Sequence, residues 1–181
     1  MTLQNVHGDP IFTKINKHKK QYEYLTKDID TEVIIVGGGV TGSIVGYYFS
    51  KNNIPAVILE KERIAHGSTS ITTSLLQYEL DSNARDLEEY TSLENIITSY
   101  KLGLKALDEL DEFIKEYGNK CKYEKKDTLL YTSKECEVKA MEEEYKTRKN
   151  AGIDVKFISK EDNPFSLDIK GGVYGVNGGA Q

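Results

Sequence analysis

Glu32-Val33-Ile34-Ile35-Val36-Gly37-Gly38-Gly39-Val40-Thr41-Gly42, with the acid Glu60 closing the next apolar run, is the stretch that decides the fold. A β-branched run enters a glycine turn, the turn opens a helix, and an acid ends the following strand. That is the order a βαβ dinucleotide site requires. Gly37 suits the tight turn, whose backbone angles are costly for other residues. Gly39 lets a pyrophosphate approach the backbone, Gly42 lets the helix lie close to the sheet, and Gly46 reinforces that packing. Gly38 reads as replaceable by another small residue. An anion here faces the unpaired N–H groups of the helix start, worth about 0.3–2 kcal/mol electrostatically. Glu60 is placed to accept both hydroxyls of an adenosine ribose and repels a 2′-phosphate, so FAD or NAD is favoured over NADP. The residues alone do not separate FAD from NAD. A glycine-rich turn beside an ordinary surface glutamate is the plainer alternative.

The flanking sequence fills in the unit. Val33–Val36 is too continuously apolar for a half-exposed strand, so both faces are expected to be covered, as in a parallel sheet. The helix should run from Val40 to Lys51 on a stripe of Val40, Ile44, Val45, Tyr48 and Phe49, ending at Asn52-Asn53. Ala56–Leu59 is the second strand, preceded by Pro55. Residues 64–74, rich in Gly, Ser and Thr, read as a loop or a passage into a helix. Ser68, Thr69, Thr72 and Thr73 can donate hydrogen bonds to pyrophosphate or flavin edges, or cap a helix beginning near Ser70; the two roles are compatible. Lys61, next to the acid, is counted with this cofactor-binding set. Arg63 could steady a phosphate or stay solvated. His66 is the one histidine near the motif, weak support for a base.

Downstream, Ala84, Leu87, Leu93, Ile96, Ile97, Tyr100, Leu104, Leu107, Leu110, Ile114 and Tyr117 recur at steps of three and four. One helix, or two with a break near Thr91-Ser92 or Gly103, is expected. The stripe is irregular and broad, which favours packing on a sheet over a coiled coil. Cys121–Lys125 and Thr128–Tyr131 read as a small antiparallel hairpin turning at Lys126-Asp127. Ser133 could cap a helix over residues 134–150 that Gly152 ends, before a strand at Val155–Ile158. Residues 171–181, rich in glycine, form a strand-like ending with no partner downstream, as though the chain stops mid-architecture. Four segments follow: a polar lead-in (1–31), a dinucleotide-binding portion (32–118), a hairpin, helix and strand insertion (119–160), and a truncated glycine-rich return (161–181).

Composition narrows the classes. At 38% hydrophobic the 181-residue chain can fill a core. Its 24 Lys and Arg against 29 Asp and Glu give a formal charge of −5, which argues against a nucleic-acid or anionic-membrane surface. No apolar run approaches the ~20 residues of a membrane helix, and the polar N-terminus lacks a secretory signal. A cytoplasmic location is expected. Cys121 and Cys136 form no Cys-x-x-Cys pair and read as reduced, partly buried thiols; with His7, His18 and His66 scattered, no metal site is expected. The cluster Lys14, Lys17, Lys19 and Lys20 reads as a solvated face, with Tyr22, Tyr24 and Leu25 packed against the domain.

The stretch Val33–Gly42, the acid Glu60, and Gly67-Ser68-Thr69-Ser70-Ile71-Thr72-Thr73-Ser74-Leu75-Leu76-Gln77-Tyr78-Glu79 together resemble the N-terminal part of the D-amino-acid oxidase/glycine oxidase-like family of FAD-dependent oxidoreductases. Asp127–Ser133 resembles the hairpin before that family's next helix. Gly178-Gly179-Ala180-Gln181 resembles the approach to its second flavin-binding segment. The likeness runs from Tyr22 to Gln181 and covers the first half of a normal member. It implies that Gly37, Gly39 and Gly42 bind the FAD pyrophosphate, Glu60 its ribose, Ser68 and Thr69 lie near the phosphates, and Thr72 and Thr73 near the flavin. It also implies oxidation of an amine or amino acid by hydride transfer to flavin. The substrate-gripping residues of the family would lie beyond Gln181, so the catalytic residues are unknown.

The reading is therefore an α/β, Rossmann-like FAD/NAD(P)-binding βαβ domain with a long helical region and the start of an incomplete substrate domain. It implies an FAD-binding part of an oxidoreductase, incomplete for catalysis alone. The alternatives are an NAD-dependent enzyme fragment, or a non-catalytic fragment that pairs with a separate C-terminal half. An amine or amino-acid substrate is expected only when such a half completes the chain. Exposed apolar surface would otherwise drive self-association.

Overall fold

The computed structural model of the chain describes Gly8, residues 10–15 and residues 21–181, which divide into two units, Met1–Thr73 and Ser74–Gln181. His7, His18 and the cluster lysines Lys17, Lys19 and Lys20 lie outside the described residues. The polar lead-in contains a short helix, α1 (Ile11–Ile15). Tyr22, Tyr24 and Leu25, expected to pack inward, are 64%, 94% and 59% exposed.

The first unit is built on parallel strands β1 (Val33–Val36) and β2 (Ala56–Leu59), joined through helix α2 (Val40–Lys51), all with the expected limits. Val33 pairs with Ala56 and Val36 with Leu59. Asn53 takes a left-handed φ of 56° beyond the helix end, a conformation Asn tolerates better than most residues. Two expectations fail together. Side chains alternate across a strand, and α2 lies over the face carrying Ile35 and Ile58, which a Cβ at Gly46 would touch. Ile35 is buried, but Ile34 and Val36 on the opposite face are 60% and 87% exposed, so only one face of β1 is covered. The stripe of α2 is likewise exposed at Val40, Ile44, Val45 and Tyr48, because the helix approaches the sheet through glycine.

The second unit contains β3 (Leu76–Gln77), α3 (Ala84–Leu87), α4 (Leu93–Tyr117), β4 (Lys125–Thr132), α5 (Val138–Asn150), β5 (Val155–Ser159) and β6 (Gly171–Ala180). Its sheet is antiparallel. β6 pairs with β4 along one edge and with β5, then β3, along the other. The glycine-rich ending is thus the centre of the sheet, partnered wholly by upstream strands. Its glycines make room for neighbours: a Cβ at Gly178 would fall 2.7 Å from Thr128 Oγ1 and 2.9 Å from Tyr78 Cε1. The helical region breaks after α3, and Ser92 caps α4 by accepting the Asn95 amide. Gly103 does not interrupt α4; it lies so close to Tyr78 that a Cβ would meet Tyr78 Cα at 2.9 Å. Ile96, Tyr100 and Leu107 of α4 pack in one core with Tyr78, Val155 and Val173.

No hairpin forms at Lys126-Asp127. β4 is one strand with a bulge between Lys126 and Thr128. The Asp127 carboxylate accepts the Asn177 amide at 2.8 Å and the Tyr174 hydroxyl, pinning the bulge to β6. The next helix begins at Val138, after a 3-10 turn at Glu135–Glu137. Ser133 caps neither the turn nor α5, whose starts have no side-chain cap; instead the Thr132 hydroxyl accepts the Lys134 amide and donates to Glu137. Gly152 ends α5 at φ 81°, as expected. Cys121 and Cys136 are free and exposed rather than partly buried. Among the described residues, no helix is long and apolar enough to cross a membrane.

A buried ion cluster holds this unit together. Arg148 of α5, 2% exposed, donates from Nε to Glu144 Oε1 at 2.7 Å and from Nη1 to Glu79 Oε1 at 2.6 Å and the Tyr78 hydroxyl at 3.0 Å. Glu144 Oε2 accepts the amide of Ala84, the first residue of α3, and Oε1 accepts the Tyr100 hydroxyl. The guanidinium also stands 5.5 and 5.2 Å from the Tyr78 and Tyr100 ring centres. Burial pushes the Tyr78 hydroxyl up to about 12, so it stays protonated. Glu144→Ala removes one carboxylate from the guanidinium and strands the Ala84 amide. It is expected to lower the unfolding free energy by about 3–5 kcal/mol, read as a lower denaturant midpoint at constant slope; an unchanged midpoint would show that the cluster carries no stability.

Candidate functional site

The site is built at the end of β1. Gly37 has φ 105°, a region that L side chains rarely adopt, and its N–H donates to the Leu59 carbonyl at 2.7 Å, tying the turn to β2. The chain then passes Gly38 and enters α2 at the N-cap Gly39, where Ser43 N–H closes the first helical bond to the Gly39 carbonyl. Gly42 is held closest: a Cβ there would lie 1.9 Å from the Gly37 carbonyl oxygen and 3.3 Å from Ile35 Cγ2. The helix therefore approaches the turn's backbone as well as the sheet. Gly39 has ordinary extended angles, φ −81° and ψ −170°, so its role is one of space: only Thr69 Oγ1 stands near its missing Cβ, at 3.1 Å.

Glu60 folds back over the turn. Its Oε2 accepts the Gly38 N–H at 2.8 Å and its Oε1 the Glu62 N–H at 3.0 Å. These backbone donors, Gly38 foremost, hold its carboxyl below the usual glutamate range, so it is anionic at neutral pH. Val40 N–H, at the helix start, donates to Thr69 Oγ1 at 3.0 Å. Thr69 is carried by a 3-10 turn, Ser68–Ile71, in place of the helix expected to begin near Ser70. Ser70 is buried and donates to the Gly67 and His66 carbonyls, bracing that turn from within.

Of the residues singled out in the sequence, Gly37, Gly39, Gly42, Glu60 and Thr69 meet around one turn. Lys61 follows the acid and is exposed; Ser68 opens the 3-10 turn, also exposed; Thr72 and Thr73 leave it at the end of the unit. His66 is exposed, and its described hydrogen bonds are through its backbone, the N–H donating to the Arg63 carbonyl and the carbonyl accepting from Ser70. Gly38 is less replaceable than it reads: a Cβ would come within 2.9 Å of Ile64 Cγ2 and 3.2 Å of Glu60 Cβ. Ile64 and Ala65 escaped the sequence reading. Ile64 packs over Gly38, and Ala65 N–H, at φ 56°, donates to the Gly38 carbonyl at 2.9 Å. An isolated isoleucine just after the acid was the one available signal; a left-handed alanine leaves none.

Residues 32–181 match the family model described as FAD dependent oxidoreductase. The chain belongs to this FAD-dependent oxidoreductase family. FAD is the family's cofactor, and the glycine turn with its acid is where the βαβ order places a dinucleotide. Among solved structures, the chain resembles glycine oxidase from Geobacillus kaustophilus, at TM-score 0.64 and 20% identity, over 83% of this chain and 40% of that one. Glycine oxidase from Bacillus cereus ATCC 14579 gives 0.59 and 21%, over 84% and 40%. A putative Rieske 2Fe-2S iron-sulfur protein, YhfW, of Bacillus subtilis (strain 168) is 24% identical over 159 residues, 88% of this chain and 31% of that protein. The chain thus spans about two fifths of the glycine oxidases and under a third of the Bacillus subtilis protein. Among the described residues no group of His, Cys, Asp or Glu could hold a metal ion.

Two consequences are measurable. Gly42→Ala drives a methyl into a backbone carbonyl that cannot swing away, whereas Gly46→Ala meets the flexible end of Ile58 at 2.9 Å. The first is expected to exceed the ordinary overpacking cost of about 1–3 kcal/mol and the second to fall within or below it, as read by amide exchange across β1 and α2. Equal effects would remove the special status of Gly42. The second concerns acid. With its folded pKa below the ordinary 4.5, Glu60 stabilises the unit fully above that value and loses the contribution as pH falls through the lowered one. A carboxyl titration followed by NMR is expected to give a midpoint below 4.5.

Proposed function

We propose that this chain forms the FAD-binding N-terminal part of an oxidoreductase that acts on an amine or amino acid. The observation that carries the reading is the convergence of the Gly38 and Val40 amides with an anionic Glu60 on one glycine turn. The residues suit the cofactor: the helix start attracts a pyrophosphate, the absent Cβ of Gly39 leaves it an approach, and Glu60 keeps unshared lone pairs for ribose hydroxyls. Gly37, Gly39 and Gly42 would shape the phosphate cradle; Lys61, Ser68 and Thr69 would stand around it, with Thr72 and Thr73 toward the flavin. When bound, FAD supplies the hydride acceptor. The chain's own residues hold and orient it, and the negative charge of Glu60 rejects a 2′-phosphate. The glycine oxidase likeness supports an amine or amino-acid substrate. Catalysis would need residues outside the cofactor cradle, and the cytoplasm is the setting this reading assumes.

A second reading has its own support. Ile34 and Val36 expose apolar surface on one face of β1, as a chain that pairs with a separately encoded C-terminal half would require. Coexpression with such a half is expected to yield a soluble complex with turnover; no gain in stability or activity with any complementary half is the opposing outcome.

Titration of the 181-residue chain tests the main reading. FAD is expected to bind and show a perturbed visible flavin band, NADP to bind much more weakly, and Glu60→Gln to weaken FAD by roughly the 1.5–3 kcal/mol of hydrogen bonds to a charged group. NAD bound in preference to FAD would point to an NAD-dependent enzyme. A folded chain that binds neither would overturn the proposal.

A further inference from the structure

We propose that Asn177-Gly178 is a site of spontaneous covalent modification, at which the asparagine loses ammonia and the central strand of the second unit acquires an aspartate or an isoaspartate. Asn177 is the one asparagine in the sequence that glycine follows, and the fold requires both residues. Asn177 takes a left-handed φ of 50°, a conformation that asparagine and glycine accept and most residues do not. Gly178 leaves no room for a side chain, since Thr128 Oγ1 and Tyr78 Cε1 stand 2.7 and 2.9 Å from where a Cβ would lie. A bulkier residue after the asparagine, which would slow ring closure, is therefore excluded.

The strand is open at this point. Between the pairs Lys126–Gly179 and Thr128–Gly175, residues 176–178 of β6 stand across from the single residue Asp127. On the other edge, β5 reaches no further than Gly175, and β3 pairs only with Gly179 and Ala180. Isolated bonds hold this arch: Val176 N–H to the Asp154 carbonyl at 3.2 Å, Asn177 N–H to Asp127 Oδ1 at 2.8 Å, and Tyr78 N–H to the Gly178 carbonyl at 3.1 Å. Asn177 is exposed, and among the described residues its side-chain amide has no hydrogen-bond partner. The side chain is thus free to turn toward the Gly178 nitrogen, and water reaches it.

The Gly178 nitrogen forms a bond to Asn177 Cγ, the Cγ–Nδ2 bond breaks, and ammonia leaves with the proton that the backbone nitrogen gives up. Water then opens the cyclic imide at either of its carbonyls. Opening at Cγ leaves aspartate; opening at the main-chain carbonyl leaves isoaspartate, whose backbone runs through Cβ and Cγ. One water enters, one ammonia leaves, and nothing is oxidised or reduced.

The products disturb the strand in different degrees. The Tyr174 hydroxyl foremost, and then the Asn177 amide, hold the Asp127 carboxyl below the usual aspartate range, so it is anionic at neutral pH. Either product adds a second carboxylate of like sign beside it, which is destabilising. Isoaspartate also lengthens the main chain by a methylene just before Gly178. That glycine has no slack to absorb it, and its carbonyl holds the Tyr78 amide, while the Tyr78 hydroxyl accepts a bond from Arg148. The modification therefore loosens the second unit from its central strand.

The test incubates the 181-residue chain in mildly alkaline buffer and follows its tryptic peptide of residues 171–181 by mass spectrometry. Asn177 is expected to be converted ahead of every other asparagine, at a rate close to that of the same peptide free in solution. The mass gain is that of exchanging NH for O, and the isoaspartate form separates by chromatography from an aspartate form of equal mass. Asn177→Gly keeps the left-handed φ and should show no mass change in this peptide. The aged chain should unfold at a lower denaturant midpoint than the fresh one. Asn177→Asp, which carries the charge without the added methylene, should lie between the two. A folded chain that keeps Asn177 while the free peptide is converted overturns the proposal, because the fold would then protect the site. Conversion that leaves the midpoint unchanged overturns the loosening of the strand. Neither outcome bears on the cofactor reading, which rests on the first unit.

Discussion

The contact between the Gly37 carbonyl and the Cα of Gly42 governs the first unit. The gap of 1.9 Å between that oxygen and a would-be Cβ leaves no room for any side chain. The carbonyl is held in place because its peptide plane is shared with the Gly38 N–H, which is bonded to Glu60, while the Gly37 N–H ties the turn to Leu59. Where α2 begins is therefore settled by backbone against backbone. From this follow the closeness of Gly46 to Ile58, the presentation of the Val40 amide to Thr69, and the placing of the Gly38 amide under Glu60. The site's geometry is a consequence of steric exclusion in the turn, with hydrogen bonds added to a path already fixed.

Electrostatics then divides the turn's amides between two acceptors. Backbone donors hold Glu60 ionised, and its charge in turn repels anions from its own corner. The helix start, one residue past Gly39, attracts them. A dinucleotide with a central pyrophosphate and an unphosphorylated ribose matches this pattern of one attracting and one repelling corner. Under the proposed FAD reading, a ligand phosphorylated on the ribose would meet the repelling corner with the wrong sign.

What the sequence revealed depended on whether a residue's role was local. β1, α2 and β2 were legible to the residue because apolar runs, glycine spacing and the terminal acid are contiguous signals. The partners of the glycine-rich ending were not, since β3, β4 and β5 pair with it from distant parts of the chain. Lys126-Asp127 reads as a turn because polar pairs between apolar runs usually are one. Here the aspartate reaches across to Tyr174 and Asn177, and the extra residue is absorbed as a bulge. Burial on both faces of β1 failed as an expectation because it presumes a third layer, which continuous apolarity cannot supply by itself. Within the site, the bond of Thr69 to Val40 was not legible, because no local rule pairs residues 29 apart.

The cluster around Arg148 shows the same limit in another form. Glu144 and Arg148 are spaced as an ordinary solvent-facing pair on a helix, yet both are buried, at 3% and 2% exposed. An apolar core of Ile96, Leu107, Val155 and Val173 could be packed with α5 slid or rotated, since dispersion contacts are non-directional. The guanidinium admits no such freedom. Its bonds to Glu144, Glu79 and Tyr78, with Glu144 returning to Ala84 and Tyr100, bind α5 at one position to α3, α4 and the segment leaving β3. Thr128 of β4 joins through Glu79. Desolvating these charges costs free energy that a wholly apolar core would not have spent. What it secures is a single registration of three helices on a sheet whose central strand, being half glycine, has few side chains with which to specify one.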